Sequence, residues 1–187
     1  ERNGNGREYY IDGGLRSEGE YYHGKLRKGK EYNCNGKLIF EGEYKNGKRH
    51  GKGIEYNNRG KLLFEGEYIN GKRNGKGKEY YINSKLKFFG KYKNGKRIGK
   101  GREYDDLGGL KFEGEFENNK RNGKGKAFFY NGKIKFDGEY LNGLKNGNGK
   151  SFDINGKLIF EGKYLNDKKN GKGTEYYDFG NIKFDGE

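Results

Sequence analysis

The sequence has no methionine, no tryptophan, no proline, one cysteine and two histidines in 187 residues. The single thiol, Cys34, excludes an internal disulfide and gives no sign of an oxidising compartment, which leaves a cytoplasmic location as the default. No apolar run approaches the length of a membrane span, and no secretory apolar segment is present. A chain that opens at Glu1 and contains no methionine is what a segment excised from a longer protein would show. Only 29% of the residues are apolar, 36% are charged and 37 are glycine, a balance that by itself suggests disorder.

What is present overrides that suggestion. The 17 tyrosines and 13 phenylalanines concentrate apolar area in a few regularly placed side chains. In residues 36–56, GKLIFEGEYKNGKRHGKGIEY, Leu38, Phe40, Gly42 and Tyr44 alternate with Ile39, Glu41, Glu43 and Lys45. A period of two predicts a strand whose two faces differ chemically. Asn46-Gly47 predicts a tight turn, because both residues tolerate positive φ, and a second strand follows.

The unit then repeats along the whole chain. Glycines 19, 42, 66, 90, 114, 138, 162 and 186 recur at a first spacing of 23 and then of 24, and the second glycine of each GxG element keeps the same rhythm. A fixed period in the twenties predicts an array rather than a globule. The expected fold is all-β: an elongated, single-layer antiparallel β-hairpin array, a solenoid-like ribbon of about eight units over 1–187 with the last one truncated. No apolar stripe has the period of a helix. Phenylalanines 40, 64, 88, 112, 136, 160 and 184 and the aromatics that follow each GxG are the expected core, with the glycine columns making room for their rings. The weakest joint is expected at Lys25–Lys30, where one residue is missing.

The segments YKNGKRHGKG (44–53), YINGKRNGKG (68–77) and YKNGKRIGKG (92–101), with three further copies, resemble the MORN repeat, an aromatic followed by glycine and HGxG at fixed spacing. The 24-residue period and the GKGKEYY-type strand look more like the divergent MORN variant. Only His50 keeps the histidine of the pattern. The resemblance implies a hairpin ribbon that scaffolds protein assemblies at cytoskeletal, ciliary or membrane sites without carrying chemistry of its own, and it brings in lipid binding as a property often proposed for such arrays.

No non-repeating constellation suggests catalysis. His23 and His50 stand at lysine-rich turns, Cys34 lacks partners for a metal site or an activated nucleophile, and the glycine-rich NGKRNGKGK (70–78) is followed by a strand where a phosphate-binding loop needs a helix. The expectation is a protein that is not an enzyme and needs no cofactor or metal.

The net charge of +14 has a geometry. By strand parity, the lysines at the centre of GxG and the basic residues after it share a face with the following tyrosine. The acidic columns, including Glu31, Glu55, Glu79 and Glu103, are expected to fill the other face. Lys48-Arg49, Lys72-Arg73, Lys96-Arg97 and Lys120-Arg121 add a basic edge. Two functions follow: a scaffold for a protein partner or for self-association, and a basic aromatic face for anionic membranes of the phosphoinositide type. Nucleic acid is disfavoured because the aromatics are needed as core. Departures from the columns mark where a protein partner would dock: Ile39, Leu63 and Ile159 where the column is otherwise Arg or Lys, Ile69, Leu141 and Leu165 where it holds Lys, and Phe89 where it holds Glu or Asp. These are expected on the acidic face, in clusters 39/63/69 and 141/159/165.

Overall fold

In the computed structural model, which describes residues 2–187, the described residues form sixteen β-strands and no helix. The chain divides into two compact units, the first ending at Lys96 and the second beginning at Arg97. The first holds β1 (Gly4–Tyr9), β2 (Leu15–Tyr22), β3 (Lys25–Tyr32), β4 (Leu38–Lys45), β5 (Lys48–Tyr56), β6 (Leu62–Ile69), β7 (Lys72–Tyr80) and β8 (Leu86–Lys93). The second holds β9 (Lys96–Tyr104), β10 (Leu110–Glu117), β11 (Lys120–Phe128), β12 (Ile134–Leu141), β13 (Leu144–Phe152), β14 (Leu158–Leu165), β15 (Lys168–Tyr176) and β16 (Ile182–Gly186). Within each unit every strand pairs antiparallel with the next, the meander that the alternation predicts.

Two turn types alternate. At one end, pairs such as Asn46 (φ 52°) and Gly47 (φ 73°) close two-residue hairpins in which both central residues are left-handed, so that the turn twist matches the strands. At the other end, five residues reverse the chain, as in 57–61 between β5 and β6. The Asn57 side chain accepts from the N–H groups of Arg59 and Lys61 at 2.9 and 3.1 Å, and Asp105 and Asp153 take the same role in later units.

The core lies on one face. Phe40, Phe64, Phe88, Phe112 and Phe136 are fully buried although no second layer covers them. In β6 and β7, the Phe64 ring lies so close over Gly77 that a Cβ added there would stand 2.3 Å from its Cζ. Tyr68 and Tyr92 meet the same ring edge-on with centroids 5.6 and 5.1 Å away, and the Arg73 guanidinium caps it at 4.4 Å. Glycine below, tyrosines beside and arginine above thus enclose this ring, as they do that of Phe40. Edge-to-face pairs contribute about 0.5–1.5 kcal/mol each beyond burial, and the run Phe40, Tyr68, Phe64, Tyr92 links successive hairpins into one zipper.

One register feature corrects the parity argument. A β-bulge recurs where each long turn enters the next strand: Glu79 pairs with Phe88 but Tyr80 pairs with Leu86, which leaves Lys87 unopposed. The extra residue reverses the alternation, so Leu38, Leu62 and Leu86 do not share the phenylalanine face. They pair with Tyr32, Tyr56 and Tyr80 on the opposite, charged face, where the Tyr80 hydroxyl donates to Glu65 at 2.8 Å.

Candidate functional site

On the charged face of each unit, two columns meet across strands. Basic residues that follow GxG pair with acidic residues of a neighbouring strand: Lys78–Glu65 at 2.8 Å, Arg102–Glu113 at 2.9 Å, Lys126–Asp137 at 3.2 Å and Lys150–Glu161 at 2.9 Å. Lys30 stands between Glu18 and Glu41 in the same row. These pairs are solvent-exposed, so each contributes at most about 1 kcal/mol. Their larger effect is on the field, because the cations expected to form a basic aromatic face are matched there by carboxylates. That expectation is corrected: the GxG residues and the acids lie on the same face because they occupy paired, non-staggered positions in the ladder. A shallow groove over the glycines, lined by Arg7, Glu18, Lys28, Lys30 and Glu41, has the same mixed character.

A second carboxylate column reinforces this row. Glu67 and Glu139 accept from the backbone N–H groups of Lys76 and Asn148 at 3.2 and 2.9 Å. Those amides follow Gly75 (φ 70°) and Gly147 (φ 92°), the bulge positions that open strands β7 and β13.

The phenylalanine face carries the other acids. Glu31, Glu55 and Glu103 stand there, not among the acidic columns, because each is the cross-strand partner of a phenylalanine. Arg49 Nη2 donates to Glu31 at 2.7 Å, Arg73 Nη2 to Glu55 at 2.8 Å and Arg121 Nη2 to Glu103 at 2.8 Å. Arg97 Nη1 reaches Glu103 at 3.1 Å. The basic edge is therefore corrected as well. Lys48, Lys72, Lys96 and Lys120 stay exposed at the turns, whereas Arg49, Arg73, Arg97 and Arg121 fold inward and are largely buried, the first, second and fourth over the Phe40, Phe64 and Phe112 rings.

The seven apolar departures separate by face. Phe89 is exposed on the charged face, directly across from Lys78. Ile69, Leu141 and Leu165 are exposed at hairpin tips of that face, paired with Lys72, Leu144 and Lys168. Ile39, Leu63 and Ile159 occupy the bulge position, as Lys87 does, and Lys87 reaches Glu79 on the phenylalanine side at 2.9 Å. So Ile39 and Leu63 are not brought to Ile69, nor Ile159 to Leu141 and Leu165. The bulge accounts for both separations. Leu144, 40% exposed opposite Leu141, joins the tip cluster, and its column of lysines at 48, 72, 96 and 120 was the signal that marks it.

His23 sits in a hairpin tip against Tyr22, with ring centroids 4.1 Å apart, His50 lies on β5 with Nδ1 buried and unpaired, and Cys34 is exposed in a long turn. The three stand on different elements and form no cluster.

The sequence profile of the MORN repeat matches residues 1–15, 40–61, 64–85, 88–106, 112–134, 136–157 and 160–181, and that of the MORN repeat variant matches 28–46. No curated protein matches the chain. MORN repeats are protein- or membrane-binding motifs and not a catalytic family.

Proposed function

The chain belongs to the MORN-repeat family, and from that premise we propose that it is a non-catalytic scaffold that binds a protein partner or a second copy of itself. The pairing of cations with carboxylates across the charged face carries this reading. A face neutralised from within offers an anionic membrane little continuous potential. It suits a protein surface of alternating charge, with Phe89 as the apolar anchor of the first unit and Leu141, Leu144 and Leu165 as those of the second, each set in a polar frame. Substituting His23, His50 and Cys34 together leaves this activity intact.

The surplus of positive charge supports a second reading, contact with anionic membranes through the turn lysines 48, 72, 96 and 120. No helix among the described residues is long and apolar enough to cross a membrane. Sedimentation velocity over a concentration series, beside co-sedimentation with vesicles carrying phosphatidylinositol bisphosphate, separates the two. A scaffold associates in a way that survives high salt, whereas binding driven by counterion release weakens steeply with ionic strength. A chain that stays monomeric and binds the vesicles only at low salt overturns the first reading and leaves the second.

A further inference from the structure

The carboxylate column on the phenylalanine face draws its donors from three positions, of which only the arginine is present for all four of Glu31, Glu55, Glu79 and Glu103. Eight positions after Glu79 and Glu103 comes a lysine, with Lys87 Nζ reaching Glu79 Oε1 at 2.9 Å, whereas Glu31 and Glu55 have Ile39 and Leu63 there. Thirteen positions after Glu31, Glu55 and Glu79 comes a tyrosine, as in Tyr68 to Glu55 at 3.0 Å and Tyr92 to Glu79 at 3.2 Å, and after Glu103 comes Phe116. Eighteen positions after comes an arginine, as in Arg73 to Glu55 and Arg121 to Glu103, both at 2.8 Å. The donors converge on one carboxylate above the sheet.

Residue 127 holds the next place in the column, cross-strand from Phe112 and Phe136, and it is alanine. All three donor positions are nonetheless filled, by Lys135, Tyr140 and Lys145. Lys145 Nζ lies 4.6 Å from the Phe136 ring centre and 5.3 Å from that of Tyr164. It is half-buried and makes no ion pair among the described residues, and burial lowers its pKa. Asp167, the acid that faces it, accepts from the Lys145 backbone N–H at 2.8 Å. Lys135 Nζ is exposed, 5.6 Å from the Phe129 ring centre, and likewise makes no ion pair. Arg121, on the near side, is engaged with Glu103. One unit on, the corresponding place is satisfied from within: the Ser151 and Tyr164 hydroxyls stand 2.6 Å apart, and Lys169 turns to Glu175.

We propose that the space above Ala127 is a carboxylate socket for a glutamate or aspartate side chain of a partner protein. The equivalent units define the ligand: a single carboxylate, entering over the methyl of Ala127 and accepting from Lys135, Tyr140 and Lys145. Removing the internal glutamate while keeping its donors converts a structural ion pair into a vacancy for an external one, half-shielded from solvent by the flanking rings. The proposal deepens the scaffold reading and rests on it, by assigning the partner an acidic anchor.

The test is an NMR titration of the 187-residue chain with N-acetylated tetraglutamate amide. The socket predicts saturable shifts centred on residues 127, 135, 140 and 145. Ala127→Glu supplies the missing carboxylate in cis, raises the melting temperature and weakens peptide binding by about tenfold or more. Lys145→Gln weakens binding without that gain. Thr174→Glu, with the same charge change on the charged face, leaves binding as it was. Uniform shifts at all the lysines, or equal loss in Ala127→Glu and Thr174→Glu, overturn the socket, since a net cationic protein attracts any polyanion. Should vesicles carrying phosphatidylinositol bisphosphate lose binding to Ala127→Glu while the peptide retains it, the site is a lipid site and the proposal fails. Sedimentation of the same variants keeps the two readings apart: self-association that persists when the peptide ignores Ala127 sinks the socket and spares the scaffold.

Discussion

The guanidinium of Arg73 lies 4.4 Å from the centre of the Phe64 ring while its Nε and Nη2 donate to one oxygen of Glu55. A sheet one layer thick has no opposing element to bury its aromatics, and in this protein charged side chains take that place. The aliphatic stem and planar head of arginine shield the ring, and the glutamate holds the head flat.

Arg73→Ala should therefore destabilise more than an ordinary surface truncation. The pair is about four-fifths buried at the side chains, and the loss combines ring cover with an unpaired Glu55, about 1–3 kcal/mol after allowance for solvent access. Arg73→Lys should recover part of it, since Lys145 and Lys169 serve as ring covers in the second unit. Urea denaturation checks both, and equal losses in the two variants would show that the ring cover contributes nothing.

Gly77 is among the most demanding of the core positions. Its missing Cβ makes room for the Phe64 ring, and alanine would place an atom 2.3 Å from Cζ. The ring is fully buried and has nowhere to move. Gly77→Ala should cost about 1–3 kcal/mol by overpacking, and Phe64→Leu should relieve part of that cost in the double variant. A neutral Gly77→Ala would mean that the ring stands elsewhere.

Stability should also fall off toward the end of the array. Phe112 is fully buried, whereas Phe184 is 51% exposed in the last strand. Phe112→Ala should approach the lower part of the range of about 3–5 kcal/mol for a buried phenylalanine, and Phe184→Ala should lie well below it. Equal values in chemical denaturation would contradict an array in which each hairpin leans on its neighbours.

Much of this was legible in the sequence. The period, the two-residue turns at Asn46-Gly47 and its equivalents, the phenylalanine column and the glycine beneath it all follow from alternation and spacing. The bulge did not, because Leu86-Lys87-Phe88 reads as unbroken alternation and nothing in a period of two registers a residue that lacks a partner. The same extra residue in successive hairpins moved Leu86 to the charged face and Leu63 away from Ile69. The inward fold of Arg49, Arg73 and Arg121 was also missed, since Lys-Arg at a turn reads as an edge. Yet a signal existed. Arginine stands at 49, 73, 97 and 121, eighteen positions after Glu31, Glu55, Glu79 and Glu103, and becomes Lys145 and Lys169 where the column turns to Ala127 and Ser151.

The tyrosines set an alkaline limit. Burial pushes Tyr140 up to about 12, and Tyr44 and Tyr68 are raised by burial too, with Glu31 and Glu55 beside them adding to the shift. A folded pKa above the unfolded value, about 10, means that the native state holds the proton more tightly. The resulting stability is complete below about pH 10 and is lost as the pH rises toward 12. Urea midpoints across that window should fall, and Tyr140→Phe should make the fall shallower. Tyrosinate absorbance equivalent to all 17 tyrosines developing at the ordinary pKa with the fold intact would contradict the burial.

The central claim is that the repeat builds the fold and its exposed apolar departures do the binding. The variant Phe89→Glu, Leu141→Lys, Leu144→Lys, Leu165→Lys restores the repeat pattern at four exposed positions of the charged face, and sedimentation velocity with circular dichroism tests it most directly. The account predicts an unchanged β-sheet spectrum and the loss of self-association or partner binding. Association at wild-type strength in that variant, together with its loss when the turn lysines 48, 72, 96 and 120 become glutamine, would contradict it.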